Sequence, residues 1–593
     1  MMTALPLVLL LSLPAGALTP GVATLCVKGK ANLAIIVSAN ASTRVKAAAR
    51  TLADQLQRIT GSEFKLADGN GESGLALGRV GDFPALALDA GINGLGLARR
   101  EQYLLRSHEG GLVILGATDL AVEDAVWDLL HRIGYRQFFP TSAWEIVPKF
   151  PDLAIRVDAL ESPSFYTRSI WYGFGTSDFN AASHERWLTR NRARGGFTLK
   201  TGHAYRAIIK RHADEFDAHP EYLGLIKGIR KSGKFCVSNP GLRELVARDA
   251  VDYLQKHPEA DSYSAEPNDG GGWCECSACA ALGSPSDRAL ALANVAADAV
   301  AARWPDKFVA FYAYNLHAPP PTITAKRNVI VSVATALMRK KAAPEELMTA
   351  WQRKGVLNLG VREYYSVNTW DRSLPARPRG ADLKYLRESI PRFHGLGARF
   401  VTAESSDNWG PTGLAYYIAA RLMWNVRDAE NVQGLVDDFL DKAFGVARAP
   451  MSEFYDILSS GGKPRLNDAL IQRLYGLIAR AATVSNDAAV RARLDDLVLY
   501  VRYIELYNAY RKSAIGRQEA FELVLKHAYR MREREMVDVK PLFTDVAKRD
   551  WLISLPADAD WKVPEPRNPL KSSLPFSRAE LDALLARGAG GAP

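Results

Sequence analysis

The alternation of apolar and polar positions divides the chain into parts, of which the first is a small α/β domain over residues 28–150. Strand patterns such as "ANLAIIVSA" and "GLALGRV" are combined with two helical patterns, "STRVKAAARTLADQLQRITG" and "DLAVEDAVWDLLHRIG". The first helical pattern begins at Ser42 or Thr43, which suit an N-cap, and both end at a glycine. The proline-containing segment "PKFPD" then marks a domain boundary.

Residues 160–410 alternate between apolar strand patterns and helical patterns. Eight strands that alternate with helices favour a (β/α)8 barrel of the TIM type, and the span fits the roughly 250 residues that such a barrel needs. An open doubly wound sheet is the alternative, but it usually carries a glycine-rich dinucleotide turn, and the sequence has none. The predicted strands are "FYTRSIWY", "GFTLKTGH", "LGLI" with "GKFCVS", "ADSYSAEPN", "FVAFYAY", "NVIVSVAT", "VLNLGVREYY" and "ARFVTAESS".

The remainder of the chain has a helical pattern. Segments such as "GLAYYIAARLMWNV" and "NDALIQRLYGLIARAATV" carry apolar stripes at the helical period. We predict a helical C-terminal domain over residues 411–555 and a loosely held tail over residues 556–593.

The N-terminal residues predict where the protein is located, and the composition excludes some classes of partner. Residues 1–20 combine an apolar run, Leu5 to Leu13, with the small residues Ala15, Gly16 and Ala17, which is typical of a cleaved secretory signal. We therefore predict a secreted or periplasmic protein. No segment is long and apolar enough to predict a membrane span. The net charge of +10 is interleaved with acids, so no nucleic-acid partner is expected. The sequence does not predict an oligomeric state.

The ends of the predicted strands carry acids that point to catalysis. Active sites of TIM-type barrels lie at the C-terminal ends of the strands. Glycosidic cleavage needs one carboxyl group that protonates the leaving oxygen and a second group that acts as nucleophile or base. We take Glu363 and Glu404 as the preferred catalytic carboxylates and Glu266 and Asp269 as the next candidates. A strand-end acid can also be a cap or a turn residue, and Asp269 before Gly270 suits a turn.

Aromatic and polar residues accompany these acids at the same strand ends. Aromatic faces stack on sugar rings, so these residues are candidates for substrate binding. His203 and Trp409 can equally be core residues. The predicted substrate-binding residues are Trp171, His203, Asn268, Tyr314, Tyr365, Asp407 and Trp409.

Four cysteines form the most specific pattern in the chain. Cys274, Cys276 and Cys279 form a C-x-C-x-x-C block after the fourth predicted strand, and Cys236 follows the third. Four such thiolates suit a structural zinc ion, whereas an exported protein would equally use disulfides. A redox role is not favoured, because the block lacks the context of a thioredoxin-like fold.

Several short motifs resemble a known family. "GHAY", "HPEYLGL", "KFCVSNP", "PNDGGGWCECSAC", "VREYY" and "LMWN" resemble the bacterial domain of unknown function 4838, part of which is classed as glycoside hydrolase family 163. "AARTLADQLQRITGSEF" and "LLHRIGYRQFFP" resemble the N-terminal domain of α-glucuronidases and family 20 hexosaminidases. The resemblance implies an exported glycan hydrolase, with β-N-acetylglucosaminidase activity on complex glycans as its specific form.

The sequence therefore predicts an exported glycoside hydrolase that acts on a glycan substrate by carboxylate chemistry and needs no cofactor for catalysis. A non-catalytic glycan-binding protein with a barrel scaffold is the alternative. A third possibility is an enzyme with a catalytic metal at the cysteine block.

Overall fold

The computed structural model describes residues 18–588, except 87, 89–91, 93, 95, 271, 337–341, 368–371 and 463. Most of the predicted signal segment, residues 1–17, lies outside the described residues. The chain forms two compact units. One contains the chain up to Arg136 together with Ile146–Pro163, and the other contains Gln137–Glu145 together with the chain from Ser164 onward.

The first unit contains a six-stranded and a three-stranded sheet, of order β11-β6-β7-β5-β3-β4 and β10-β1-β2. Helix α1 (Thr43–Thr60) starts at Ser42, whose hydroxyl oxygen accepts a bond from the Val45 N–H, and it ends at Gly61. Helix α2 (Asp119–Ile133) ends in the same way at Gly134. Both glycines have a positive φ, which confirms the predicted helix ends. The strands are β1 (Ala23–Val27), β2 (Lys30–Ala31), β3 (Ile35–Ile36), β4 (Leu66–Ala67), β5 (Gly74–Arg79), β6 (Tyr103–His108), β7 (Gly111–Gly116), β10 (Leu153–Ile155) and β11 (Asp158–Glu161), and a short ribbon of β8 (Arg136–Gln137) and β9 (Glu145–Ile146) lies where the chain passes between the units.

The second unit contains a curled sheet of six parallel strands in the order β12-β19-β18-β17-β16-β15. Helices connect these strands, so the predicted fold class, a TIM-like barrel with flanking domains, is confirmed. The predicted third strand instead forms an antiparallel hairpin, β13–β14, apart from the parallel sheet. The strands are β12 (Thr167–Tyr172), β13 (Leu223–Ile226), β14 (Ile229–Phe235), β15 (Ser262–Ser264), β16 (Phe308–Ala313), β17 (Val329–Ala334), β18 (Asn358–Tyr364) and β19 (Ala398–Ser405).

Residues 197–203, within the predicted second strand, lie between β12 and β15 without a regular ladder. Side chains supply much of the pairing, since Ser262 Oγ accepts from the Lys200 N–H at 2.8 Å and donates to the Lys200 carbonyl at 2.9 Å. Ser264 Oγ donates to the Gly202 carbonyl at 2.6 Å. On the other side, the Phe197 N–H donates to the Tyr166 carbonyl at 3.1 Å. This segment continues the wall of the barrel between its first and last sheet strands.

Several helices of the second unit pack on the strands of the barrel, and the later helices pack mainly on one another in the C-terminal part. Residues 556–593, predicted as a tail, include α18, which starts with a capping box of Ser577 and Glu580 and buries Leu581 and Leu585. Among the described residues, no helix has the length and hydropathy for a membrane crossing. The helices are α3 (Ala181–Arg190), α4 (Tyr205–Arg211), α5 (Ala213–Ala218), α6 (Pro240–Lys256), α7 (Ser277–Ala281), α8 (Pro285–Arg303), α9 (Pro344–Gln352), α10 (Leu383–Gly395), α11 (Trp409–Trp424), α12 (Val432–Phe444), α13 (Arg448–Ser459), α14 (Asp468–Val484), α15 (Ala488–Lys512), α16 (Arg517–Arg530), α17 (Ala547–Arg549) and α18 (Arg578–Ala586).

Candidate functional site

The register of the parallel strands assigns side chains to the two faces of the sheet. Glu404 on β19 is aligned with Trp171 on β12 and with Tyr364 on β18. Aligned residues of parallel neighbours share a face, and successive residues of one strand point to opposite faces. Arg362, two positions before Tyr364, therefore lies on the same face as Glu404. We call this the inner face.

An ion pair occupies the centre of the inner face. Arg362 Nη2 donates to Glu404 Oε2. The guanidinium carbon lies 4.7 Å from the ring centroid of Trp171, 5.0 Å from Tyr364 and 5.6 Å from Tyr312. The pair is mostly shielded, with 9% of the Arg362 side chain and 18% of the Glu404 side chain exposed. Among the described atoms, Arg362 Nε and Nη1 are buried and have no hydrogen-bond acceptor.

The second oxygen of this carboxylate packs closely against a glycine. A Cβ built on Gly173 would lie 2.5 Å from Glu404 Oε1. Gly173 directly follows β12, and its N–H donates to the Ser405 carbonyl at 3.0 Å. Oε2 is therefore held by Arg362, while Oε1 faces a position where any other residue type would collide with it.

Glu266 follows β15 and is fully buried. Its Oε2 accepts from the Tyr312 N–H at 2.6 Å, and its Oε1 lies 3.1 Å from His317 Nε2 and 3.9 Å from His203 Nδ1. His203 Nδ1 lies 2.7 Å from the Pro267 carbonyl oxygen, which can only accept, so Nδ1 carries the proton. In a neutral ring Nε2 is then the acceptor, and the side chain is 40% exposed.

Asp269 is the exposed acid of the same loop. The Tyr314 hydroxyl donates to Asp269 Oδ1 at 3.3 Å, and the Gly270 N–H donates to the same oxygen at 2.8 Å. Burial, and then the charge of Asp269, raise the pKa of Tyr314 to about 12, so the phenol keeps its proton. Lys234 Nζ donates to the carbonyls of Asn268 and Gly270, which holds this loop against β14.

Glu363 lies on the opposite face from Glu404, because it follows Arg362 directly in β18. It is buried, and it accepts bonds from the Thr335 hydroxyl and, at 2.7 Å, from the Tyr385 hydroxyl. Arg379 Nη1 lies 3.7 Å away. Burial raises the pKa of Glu363 above its usual value. The structure thus does not bring the predicted pair Glu363 and Glu404 together on one face.

Three of the predicted substrate-binding residues lie in the interior of the second unit. Tyr365 is 1% exposed and stacks on Tyr416. The indole N–H of Trp409 donates to the Tyr172 hydroxyl at 2.8 Å, and Trp409 is fully buried. Asp407 accepts from Asn180 Nδ2 at 2.6 Å. The other four lie towards the site, namely Trp171, His203, Asn268 and Tyr314.

The four predicted cysteines converge on one cluster. Their Sγ atoms all lie within 4.8 Å of one another, and Cys236, Cys274 and Cys279 are buried. The cluster lies between the hairpin β13–β14 and helix α7, and its chain segment directly follows the loop that carries Glu266 and Asp269.

Sequence reasoning missed several site residues. Arg362 is one of them, because only its neighbour Glu363 was considered as a candidate. An arginine within a strand pattern is itself an unusual signal, since burying its charge is costly. Tyr312 and His317 contact Glu266 from β16 and from the turn after it. No sequence pattern distinguishes these two residues from core residues.

A parallel barrel with an acid, a cation and aromatic rings at the C-terminal ends of its strands belongs to the architecture that many enzymes use. The sequence model of the family described as "Domain of unknown function (DUF4838)" matches residues 139–456, which is more than half of the chain. The chain therefore belongs to this family. The fold is similar to that of a family GH115 4-O-methyl-α-glucuronidase with specificity for decorated arabinogalactans, with a TM-score of 0.55 and 14% identity over 88% of this chain and 79% of that chain. No curated protein matches the chain in sequence.

Proposed function

We propose that this protein is a glycoside hydrolase that cleaves complex glycans at the inner face of the barrel. The observation that carries the proposal is the Arg362–Glu404 pair, surrounded by Trp171, Tyr312 and Tyr364 at the C-terminal ends of the strands. Aromatic faces suit sugar rings, and a carboxylate in a fixed orientation suits chemistry at an anomeric carbon. The similar fold of a glycosidase supports the same class.

Glu404 is the first of the two carboxylates in this proposal. Arg362 holds Oε2 and fixes the orientation of the group, which leaves Oε1, next to Gly173, to act as nucleophile or base. Substrate hydroxyl or carboxylate groups then take up the unused donors of Arg362. No cofactor is needed for this chemistry.

Asp269 is the second carboxylate and the proton donor to the leaving oxygen. We prefer it to Glu363, which is enclosed on the opposite face, and to Glu266, which is fully buried. Both hydrogen bonds to Asp269, from Tyr314 and Gly270, reach Oδ1, so Oδ2 is the oxygen available to the substrate. Glu266 instead positions His317, whereas the Pro267 carbonyl holds His203.

Two substrate classes follow from different observations. The family resemblance favours a terminal β-linked N-acetylglucosamine of a complex glycan. The unused donors of Arg362 favour a substrate carboxylate, as in the glucuronides that the similar enzyme acts on. The first class is our proposal, and the second is its specific competitor.

Glycan hydrolysis by matched variants tests the proposal. The purified protein is assayed on N-glycans, glucuronoxylan fragments and sulfated glycans, and Glu404→Gln and Asp269→Asn are compared with Glu363→Gln. We expect kcat/KM to fall by about 10³-fold or more for the first two and by less than about tenfold for the third. Glycan binding without hydrolysis by the unmodified protein would instead identify a non-catalytic glycan-binding protein.

Export is a separate proposal that rests on the apolar run in residues 1–20. Expression of the whole chain in a bacterial host, followed by fractionation and mass determination of the N-terminus, tests it. We expect a periplasmic or secreted product that begins near residue 18 to 21, whereas an intact Met1 in the cytoplasm would refute it.

A further inference from the structure

The four-cysteine cluster has the dimensions of a metal site. Cys274 Sγ lies 3.5 Å from Cys276 Sγ, and Cys236 Sγ lies 3.7 Å from Cys276 Sγ and 3.9 Å from Cys279 Sγ. All the separations in the cluster are at most 4.8 Å. Four sulfurs with comparable separations surround one central point.

These separations fit one tetrahedral zinc ion. With a Zn–S bond of about 2.3 Å, the edge of a ZnS4 tetrahedron is about 3.8 Å. A disulfide needs two sulfurs at about 2.05 Å and would single out one pair. The cluster has no such pair, and all four thiols are free. The arrangement therefore matches one ion shared by four ligands.

Backbone amides donate hydrogen bonds to three of the four sulfurs. The Leu225 N–H donates to Cys274 Sγ at 3.3 Å, and the Ser238 N–H donates to Cys279 Sγ at 3.4 Å. The Cys279 N–H donates to Cys276 Sγ at 3.4 Å, across the turn of the C-x-x-C segment. Such donors orient thiolate ligands and stabilise their charge. Their presence on three of the four sulfurs is the second observation that points to a bound cation.

We propose that Cys236, Cys274, Cys276 and Cys279 bind one structural zinc ion. Four protein ligands leave no open coordination position, so the ion stabilises the fold and takes no part in the reaction. Cys236 directly follows β14, and the other three cysteines lie in and before α7. The zinc therefore links the hairpin to the chain just after Glu266 and Asp269. This proposal does not depend on the glycosidase activity.

The metal content of the full-length protein tests the proposal directly. The protein is purified without chelators and without added metal, and its metals are measured by inductively coupled plasma mass spectrometry. We expect about one zinc per chain, and less than about one fifth of that in Cys276→Ser and Cys279→Ser. Cys26→Ser is the matched control, because Cys26 lies on β1 and its thiol bonds to the Pro151 carbonyl. It should retain the full zinc content.

Thiol counting on the unmodified protein keeps the test valid if a variant fails to fold. After denaturation with a chelator and without reductant, we expect all five cysteines of the chain to react with a thiol reagent. Three reactive thiols would show a disulfide and overturn the proposal. Iron in place of zinc, or a chain without metal, would overturn it as well.

Discussion

Glu404 and Glu363 lie on neighbouring strands of one barrel, yet their surroundings have almost nothing in common. Glu404 lies on the inner face, is bonded to a guanidinium group and packs closely against Gly173. Glu363 lies on the opposite face and accepts bonds from hydroxyl groups of Thr335 and Tyr385. The difference shows that the role of a strand-end acid depends on the face of the sheet on which it lies. Successive residues of a strand lie on opposite faces, so a shift by one residue changes the face.

Four buried acids away from the inner face share a common property, a raised pKa that is caused mainly by burial. Burial raises the pKa of Glu535 to about 8 and that of Asp538 to about 6. It also raises the pKa of Asp407, with further contributions from the charges of Glu535 and Asp538. We call Glu363, Asp407, Glu535 and Asp538 the enclosed acids. Burial thus makes these four acids harder to ionise, whereas the charge of Glu404 is balanced by Arg362.

The largest effect is expected from removing the cation of the inner face. Arg362→Met leaves Glu404 without its partner and without a fixed orientation, so we expect kcat/KM to fall by about 10²- to 10³-fold. Arg379→Met, beside Glu363, is the matched control and should stay within about threefold. Steady-state kinetics on the substrate found by the screen measures both. Equal losses in the two variants would contradict the distinction between the faces.

The pH dependence of stability should reveal the enclosed acids. An unfolded Glu loses its proton near pH 4.5, whereas folded Glu535 keeps it to about pH 8, so the folded state binds more protons in this window. Stability should therefore fall as the pH rises from about 5 to 8. At pH 8, Glu535→Gln should be more stable than the unmodified protein by about 4 kcal/mol, against about 1 kcal/mol at pH 5.

Urea unfolding at both pH values measures this effect. Glu533→Gln, at an exposed neighbouring site, is the control and should show no such pH dependence. If the unmodified protein were equally stable at pH 5 and pH 8, the enclosed acids would be ionised like those of the surface.

A smaller and purely local effect is expected at Gly173. Gly173→Ala would place a methyl group against Glu404 Oε1, and the carboxylate, as the flexible end of a side chain, would move. We expect activity to fall about 10- to 100-fold while the melting temperature changes by only a few degrees. Gly395→Ala, at the end of α10 with no atom near the added methyl group, should leave activity unchanged. Full activity of Gly173→Ala would argue against a role for Oε1.

The smallest effect is expected for Glu363→Gln. The amide keeps the shape of the carboxyl group and can still pair with the hydroxyls of Thr335 and Tyr385, so stability at pH 7 should change by less than about 1 kcal/mol. Glu363→Ala, which removes both bonds, should cost about 2–3 kcal/mol. Chemical denaturation of the two variants measures the difference. A stability loss in the Gln variant as large as in the Ala variant would show that Glu363 needs its charge.

Much of the fold could be predicted because its elements are local. Runs of six to eight residues with a strand pattern correspond to β16 to β19, and a Ser or Thr followed by an apolar stripe and a glycine corresponds to α1. The hairpin β13–β14 was assigned to the barrel because its apolar residues suit a strand. Its turn, with positive φ at Lys227 and Gly228, is the feature that separates it from the parallel sheet.

The faces of the strands could not be predicted in the same way. In "VREYY" the side chains Arg362 and Glu363 are both charged, so a period of two separates them but does not say which one points inward. That choice depends on partners far away in sequence, Glu404 for the arginine and Tyr385 for the glutamate. The cysteine cluster was easier to predict from the sequence, because three of its members lie within a segment of six residues.

The barrel wall is expected to be less stable locally at residues 197–203 than at its regular strands. Hydroxyl groups of Ser262 and Ser264 supply bonds that a regular backbone ladder would otherwise make. We therefore expect this segment to open at a lower free energy than the ladder-bonded strands and its amide hydrogens to exchange with solvent earlier than those of β17 and β18. His203 ends this segment. Ordering this segment would therefore lower the affinity for a sugar that binds against it. Slowed hydrogen exchange at residues 197–203 would then report substrate binding.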